Sequence, residues 1–395
     1  MKFVNYAESK LGEIVNSAGL QRLNIRDFQP ETANRFIVLG AADFGLNPAT
    51  GGPPVPVGQA NITEEQLYGA NVVDQIIRFP TSNQYNAVFG GTYITGVNTL
   101  DLLTYNQNQT SAIASDALMR NATLGVLRLG ANDHAGYTAT PFSHIADANP
   151  QDAFTLTFTP PSSSDYLIYA TASINCAAAS TDFVARLWDQ NTSTAYGSVT
   201  SNLRATTEYL PWSAMTRLSG ISGAQDLRLQ IHSTTQTTTM RDMCIRAIRL
   251  DDLEDYEYAE SLGTDTDNVG TYLVKAQITG WTPSDGEWLL LSSAQVGRSA
   301  VTTAHSRLWD GTTTYTETQS NPIATNKDYS ISHSRRLIYS GAGSTQIDLE
   351  YRTGTATRAM YIKQAVVAAL KIAPDPTHIL KGAINAKGAI TVKGA

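Results

Sequence analysis

Charge is scarce in this chain. Charged residues are 16% of its 395 positions, where about a quarter is usual in soluble domains. Thr, Ser, Asn and Ala take their place alongside 29 Gly and 15 Pro. That mixture favours β-structure and tight turns, and it suits surfaces covered by neighbours. Positive charge is scarcer still: a net charge of −7 argues against a general nucleic-acid coat, which needs an excess of Lys and Arg. No apolar run approaches the roughly 18 residues that cross a bilayer. Met1-Lys2-Phe3-Val4-Asn5 lacks the apolar core of a secretory signal. The expectation is a chain made and kept in a cytoplasm, with neither nucleic acid nor membrane as partner. The two cysteines, Cys176 and Cys244, are expected as buried thiols, with a disulfide left open because a sequence carries no geometry. They do not have metal-site spacing.

Internal repetition is what the chain does have. Tyr166, Ile168, Ala170, Ala172 and Ile174 alternate with their neighbours, bulky at the ends and small in the middle. The same pattern returns 122 positions on as Trp288, Leu290, Ser292, Ala294 and Val296, and 130 positions back as Phe36, Val38, Gly40, Ala42 and Phe44. A period of two with one apolar face is what a half-buried strand requires. Each of these strands follows a turn containing proline, at Pro30, Pro160-Pro161 and Pro283. Each unit has a later Asp-Leu step, at Asp101-Leu102, Asp226-Leu227 and Asp348-Leu349. Each closes on a methionine (Met119, Met240, Met360) leading a strongly apolar strand over 119–129, 240–250 and 360–372. Three landmarks in one order indicate tandem duplication. Short strands with frequent turns then give an all-β chain of three antiparallel, jelly-roll-like β-sandwiches, at 21–130, 152–250 and 269–372.

Units two and three share more. Arg186-Leu187-Trp188-Asp189 recurs 121 positions on as Arg307-Leu308-Trp309-Asp310. Asp310-Gly311 is a good hairpin-turn signal, and Asp189-Gln190-Asn191 a weaker one. Unit one lacks this element. It carries a Pro/Gly-rich insert at 45–58, then a predicted short helix with Thr63 as N-cap and Gln66 completing a capping box. Leu67, Ala70, Val73 and Ile77 would share one face of it.

Two arms and two linkers complete the expected map. Residues 5–17, within an N-terminal arm at 1–20, read as an amphipathic helix with Ala7, Leu11, Ile14 and Val15 on one side. Tyr6-Ala7-Glu8-Ser9 recurs as Tyr258-Ala259-Glu260-Ser261, a match short enough to arise by chance. Linkers are expected at 130–152 and 251–268. The C-terminal arm, 374–395, carries a six-residue repeat: Lys381-Gly382-Ala383-Ile384-Asn385-Ala386, Lys387-Gly388-Ala389-Ile390-Thr391-Val392, Lys393-Gly394-Ala395. Ile384, Ile390 and Val392 would fall on one face of an extended strand. Such a short, Gly-rich strand needs an edge to join, on another chain; a disordered basic tail is the alternative. Leu11, Ile14, Ile384, Ile390 and Val392 are thus the expected partner contacts.

Residues for chemistry are hard to find. Of His134, His144, His232, His305, His333 and His378, none has paired metal-ligand spacing. His305 and His333 share unit three and are the one pair that could act together. Asp265, Asp267 and Gly270 begin like a calcium loop, which then fails at Val269 and Ala276. No phosphate-cradling Gly loop or dinucleotide fingerprint follows a strand. The expectation is no catalytic residue, no cofactor and no metal; in short, not an enzyme. Trp188 and Trp309 could stack on sugars. Both lie mid-strand beside Leu187 and Leu308, however, so they are expected to fill matching core or interface slots.

The units resemble accessory domains of tailed-bacteriophage virion proteins. The resemblance rests on Asp165-Tyr166-Leu167-Ile168-Tyr169-Ala170-Thr171-Ala172, on Arg186-Leu187-Trp188-Asp189, on Gln225-Asp226-Leu227-Arg228-Leu229, and on the closing Met243-Cys244-Ile245-Arg246-Ala247-Ile248-Arg249-Leu250. Similar jelly-roll modules occur in capsid decoration proteins, head fibres and tail fibres, and the Lys-Gly-Ala-Ile repeat is similar to stretches of trimeric phage fibres. The resemblance implies a virion protein assembled in the host cytoplasm, with major capsid or tail subunits as partners. It also implies a homo-oligomer, a trimer being one form. Two roles fit: a capsid decoration protein whose arms lock neighbours together, or a fibre or baseplate protein contacting a cell-surface receptor or glycan. The arms favour the first. A fold of this kind does not by itself fix a function.

Overall fold

Nine strands recur three times in the same order. The structure, a computed structural model, describes residues 1–9, 13–15, 21–26, 35–46, 57–64, 70–78, 85–95, 102–109, 117–179, 181–203, 209–299, 302–320, 325–341, 343 and 345–374. Unit one comprises β1 (Lys2–Ser9), β2 (Glu13–Val15), β3 (Gln21–Arg26), β4 (Arg35–Leu46), β5 (Val57–Glu64), β6 (Ala70–Arg78), β7 (Tyr85–Thr95), β8 (Leu102–Gln109) and β9 (Ala117–Arg128). Unit two runs through β10 (His134–Thr138), β11 (Phe142–His144), β12 (Asp147–Phe158), β13 (Ser164–Cys176), β14 (Phe183–Asp189), β15 (Thr194–Ser201), β16 (Leu210–Ile221), β17 (Gln225–Ser233) and β18 (Thr238–Arg249). Unit three has β19 (Tyr256–Ser261), β20 (Asp265–Asp267), β21 (Leu273–Trp281), β22 (Gly286–Arg298), β23 (Ala304–Trp309), β24 (Thr314–Ser320), β25 (Asp328–Tyr339), β26 (Thr345–Thr353) and β27 (Met360–Pro374). The chain is all-β, its sheets antiparallel except where β1 meets β27, and paired into sandwiches.

Each unit has an outer sheet, ordered β3-β8-β5-β6, β12-β17-β14-β15 and β21-β26-β23-β24, and an inner one, ordered β1-β9-β4-β7, β10-β18-β13-β16 and β19-β27-β22-β25. Between them lies the unit's own core. In unit two Tyr166, Ile168, Ala170 and Ile174 meet Leu187, Leu227 and Leu229 there; in unit three Trp288, Leu290 and Val296 meet Leu308, Ile347 and Leu349.

Register confirms the duplication and corrects part of its bookkeeping. Phe36, Tyr166 and Trp288 pair with Arg128, Arg249 and Lys371, so the three hold equivalent positions. Met119 and Met240 pair with Phe44 and Ile174, but the matching residue opposite Val296 is Ile362, not Met360. Likewise Leu187 pairs with Leu229 and Leu308 with Leu349, which makes Arg228, not Asp226, the counterpart of Asp348. A slip of two residues keeps every side chain on its own face, so alternation alone does not detect it. A subtler mark is shared by all three units. The inner sheet bulges after Ala41, Thr171 and Ser293. Opposite each bulge stands a non-glycine residue in the left-handed region: Asn121 (φ 50°), Asp242 (φ 51°) and Gln364 (φ 50°).

The expected helices are strands. Residues 5–9 and 13–15 belong to β1 and β2, which pair with β9 as an edge of unit one, and residues 10–12 and 16–20 lie outside the described residues. Thr63 lies in β5, and Ala70, Val73 and Ile77 lie in β6. Short isolated helices are marginal in water. An unpaired sheet edge offers a backbone ladder instead, and here that outweighs the helical spacing. The expected linkers are edges too: β10 and β11 pair with β18, and β19 and β20 pair with β27. Tyr6-Ala7-Glu8-Ser9 and Tyr258-Ala259-Glu260-Ser261 occupy the same slot on β9 and β27, so their likeness belongs to the repeat. Leu11 and residues 375–395, with Ile384, Ile390 and Val392, lie outside the described residues.

The inner sheets are buried on both faces. Their outward residues (Ile37 and Leu39, Leu167 and Tyr169, Leu289 and Leu291) occupy equivalent places and meet in one central cluster with Leu127, Ile248 and Leu370. The edge strands β7, β16 and β25 touch one another pairwise. Around them the contacts run one way: β6 reaches β16, β15 reaches β25, and β24 reaches β7. Unit one thus grips two, two grips three, and three grips one. β1 closes the ring by pairing in parallel with β27, Lys2 opposite Ala373 and Phe3 opposite Pro374.

Candidate functional site

Two sets of side chains stand out: those that join the units and those on the outer sheets. At two of the three junctions an edge-strand tyrosine reaches back to the preceding unit of the ring. The Tyr6 hydroxyl accepts the Arg336 backbone N–H at 3.1 Å, and the Tyr258 hydroxyl accepts the Arg217 backbone N–H at 3.1 Å. Each guanidinium also lies over its tyrosine ring, at 5.8 and 5.1 Å. Burial and the neighbouring Glu260 push the Tyr258 phenol well up, so it stays protonated.

The third junction is built differently. Ala135 stands where the other edges carry tyrosine, and Tyr93 stands where the others carry arginine. The large polar group is Arg246 of β18, fully buried and 5.3 Å from the Tyr169 ring. Its terminal nitrogens donate to Thr171 Oγ1 at 3.4 and 3.5 Å, and its Nε has no hydrogen-bond partner among the described residues. Gly91 makes room for it: a Cβ there would stand 2.0 Å from Arg246 Nη2.

Further hydrogen bonds fasten units two and three. Tyr169 Oη and Ser332 Oγ are 2.8 Å apart, Ser213 Oγ and Ser293 Oγ 2.8 Å, and Gln295 Nε2 donates to the Ser213 carbonyl at 2.9 Å. The Thr200 N–H donates to Asp328 at 3.2 Å, and Lys327 pairs with Asp182. Between units three and one, Thr318 donates to Asp43, and Asn121 Nδ2 to the Glu317 carbonyl at 2.7 Å.

The repeated Arg-Leu-Trp-Asp element divides its labour by strand alternation. Leu187 and Leu308 point into the unit cores. Asp189 and Asp310 fold the following turn, accepting the N–H of Asn191 at 2.9 Å and of Thr312 at 2.8 Å. Arg and Trp face outward together, Arg186 lying 4.5 Å over Trp188 and Arg307 4.9 Å over Trp309. Both tryptophans are half-buried. They do not fill core slots, because residues flanking a core-facing leucine must point to the other side of the strand. Cross-strand partners anchor the arginines: Arg186 Nε donates to Gln230 at 2.8 Å, and Arg307 Nε to Glu350 at 2.5 Å.

His305 and His333 are not brought together. His333 is buried between Ser306 Oγ (3.1 Å) and Thr316 Oγ1 (3.4 Å), and burial holds its ring down at about 3. His305 lies on the opposite face of β23, 3.2 Å from Thr303 Oγ1 and 3.5 Å from Glu317. Glu317 is held down at about 2 by His305 first, then by the Tyr272 hydroxyl and Arg352. Asp267 accepts the N–H groups of Val269 and Thr353, and Asp265 pairs with Lys275. Both cysteines are free and buried. Ile14 lies in β2, opposite Leu118.

No protein-family model matches the chain, and no curated protein does. Solved structures show weak likenesses. The Sulfolobus Turreted Icosahedral Virus structure shares 10% identity over 94% of this chain and 91% of its own, with a TM-score of 0.20. The VP2 subviral particle of infectious bursal disease virus shares 9% over 95% and 82%, with a TM-score of 0.23. PNGase F, a glycosylasparaginase from Flavobacterium meningosepticum, shares 12% over 62% and 97%, with a TM-score of 0.27. Likenesses at this level decide neither fold nor function.

Proposed function

We propose that the chain is a non-enzymatic structural protein of a virus particle, a capsid decoration or accessory protein binding neighbouring virion subunits. The observation that carries this is the closed ring of three sandwiches. Its junctions are made by core packing and hydrogen bonds, and the repeat that builds it resembles phage accessory domains. The helical N-terminal arm plays no part, because β1 and β2 are committed to unit one. Partner contact falls to the C-terminal segment, whose Ile384, Ile390 and Val392 would be covered by a neighbouring sheet edge. Mass spectrometry of purified particles tests the role: the chain should be recovered with the particles in stoichiometric amount. Recovery only from the soluble lysate overturns it.

One observation favours a fibre or baseplate role contacting a glycan: Trp188 and Trp309 are half-exposed on the outer sheets instead of in the cores. A glycan array separates the two readings, since binding lost in the Trp188→Ala and Trp309→Ala variants would support the fibre.

A further inference from the structure

Head-to-tail interfaces that close after three steps build a three-fold ring. In most such rings the steps join separate chains. Here all three are taken within one chain, from β6 to β16, β15 to β25 and β24 to β7, about a core to which each unit contributes equivalent residues. The result is one body with three like flanks set about a common axis.

We infer that one copy of this chain occupies a site of local three-fold symmetry in its assembly, with each unit meeting one copy of the same partner subunit. The inference rests on the virion role proposed above. Three like flanks engage three like partners at once only on such an axis. Once the first flank is bound, the other two bind at high effective concentration, which multiplies modest contacts into a firm attachment. Away from the axis, one flank binds and the other two add nothing.

The two ends of the body differ, and the chain marks one of them. Leu129, Leu250 and Ile372, just after β9, β18 and at the close of β27, all belong to the central cluster. Pro374 therefore lies beside the axis, next to Phe3. The connections between units are alike in place but not in side chains. Asp251, Asp252 and Glu254 are exposed between units two and three, whereas the connection between units one and two reads Gly130-Ala131-Asn132-Asp133, with Asp133 buried. Asp252 pairs there with Arg249, and Glu254 with Lys371, so the two sectors differ in side chains more than in net charge; a partner that reads the difference would fix the body in a single rotational setting.

The test is cryo-electron microscopy of particles carrying the chain, with symmetry relaxed at its location, together with copy number by quantitative mass spectrometry. The expected result is one copy centred on each occupied axis, in one rotational setting, touching three copies of one subunit. The expected stoichiometry is one chain to three surrounding subunits. A copy lying off the axis and touching a subunit through one unit overturns the inference while leaving the virion role intact. Three copies arranged around the axis overturn it in the same way. Absence from particles overturns both. In solution, light scattering should give the 42.6 kDa of one chain; a stable homotrimer would count against a single copy on the axis.

Discussion

Gln364 is the least comfortable residue in the inner sheets. It holds φ 50° without being glycine, and its Oε1 is buried without a hydrogen bond among the described residues. A left-handed L-residue costs about 1–2 kcal/mol, against about 0.5–1 kcal/mol of added chain entropy for glycine. Gln364→Gly should therefore stabilise the protein by up to about 1 kcal/mol, read as a higher urea midpoint with an unchanged slope. Gly91→Ala should do the reverse, costing about 1–3 kcal/mol, because Arg246 must leave its place. His333 sets an acid limit. Above pH 6.5 neither the folded nor the unfolded ring binds a proton. Below it the unfolded ring takes one up while the folded ring, held near 3, does not. Stability should fall as pH drops from 6.5 toward 3, and His333→Gln should flatten that decline between pH 7.5 and 5 in urea titrations. Such details were not legible in the sequence. Alternation announces which face a residue takes, but not that Asn121, Asp242 and Gln364 stand opposite bulges, nor that Arg246 lies over Gly91.

At the level of elements, the central strands were legible and their edges were not. Strands such as β13 and β22 alternate large and small residues because two sheets meet over them, and that constraint writes itself into composition. Edge strands obey a weaker one. β1, β10 and β19 need only a backbone ladder and one or two contacts, so their sequences drift: Tyr6 and Tyr258 persist, while Ala135 replaces them in unit two. The four-residue match around Tyr6 was the visible trace, too short to weigh without the structure. The tryptophans were left between core and interface for a related reason, since a half-buried outer face tolerates aromatic residues as readily as a core does. Tyr258→Phe removes the hydroxyl that accepts the Arg217 N–H but keeps the ring. It should cost about 0.5–1.5 kcal/mol, measured by chemical denaturation, with no change in strand content by circular dichroism.

The whole molecule depends on a contact between distant parts of the chain. The parallel pairing of Lys2 with Ala373 and Phe3 with Pro374 does without a covalent link what residues 129–133 and 250–255 do with one at the other two junctions. Nothing in a linear reading predicts a ring: the landmarks count three units but carry no signal for how those units face one another. A chain with three near-copies of one sheet also faces a hazard in folding, because β9, β18 and β27 are similar enough to accept one another's edges. The short connections answer it. Chain leaving β9 enters β10 within a few residues, and chain leaving β18 enters β19, so each of these edge strands starts tethered at the junction it will occupy. The slot on β9 has no such tether from behind. It is filled by β1, which precedes β9 in the chain as β10 precedes β18 and β19 precedes β27, but which has no earlier unit to hold it. Connectivity thus sets an order: the junction of units one and two can close once β18 is made, whereas both junctions of unit three, the pairing of β27 with β1 among them, await the arrival of β27.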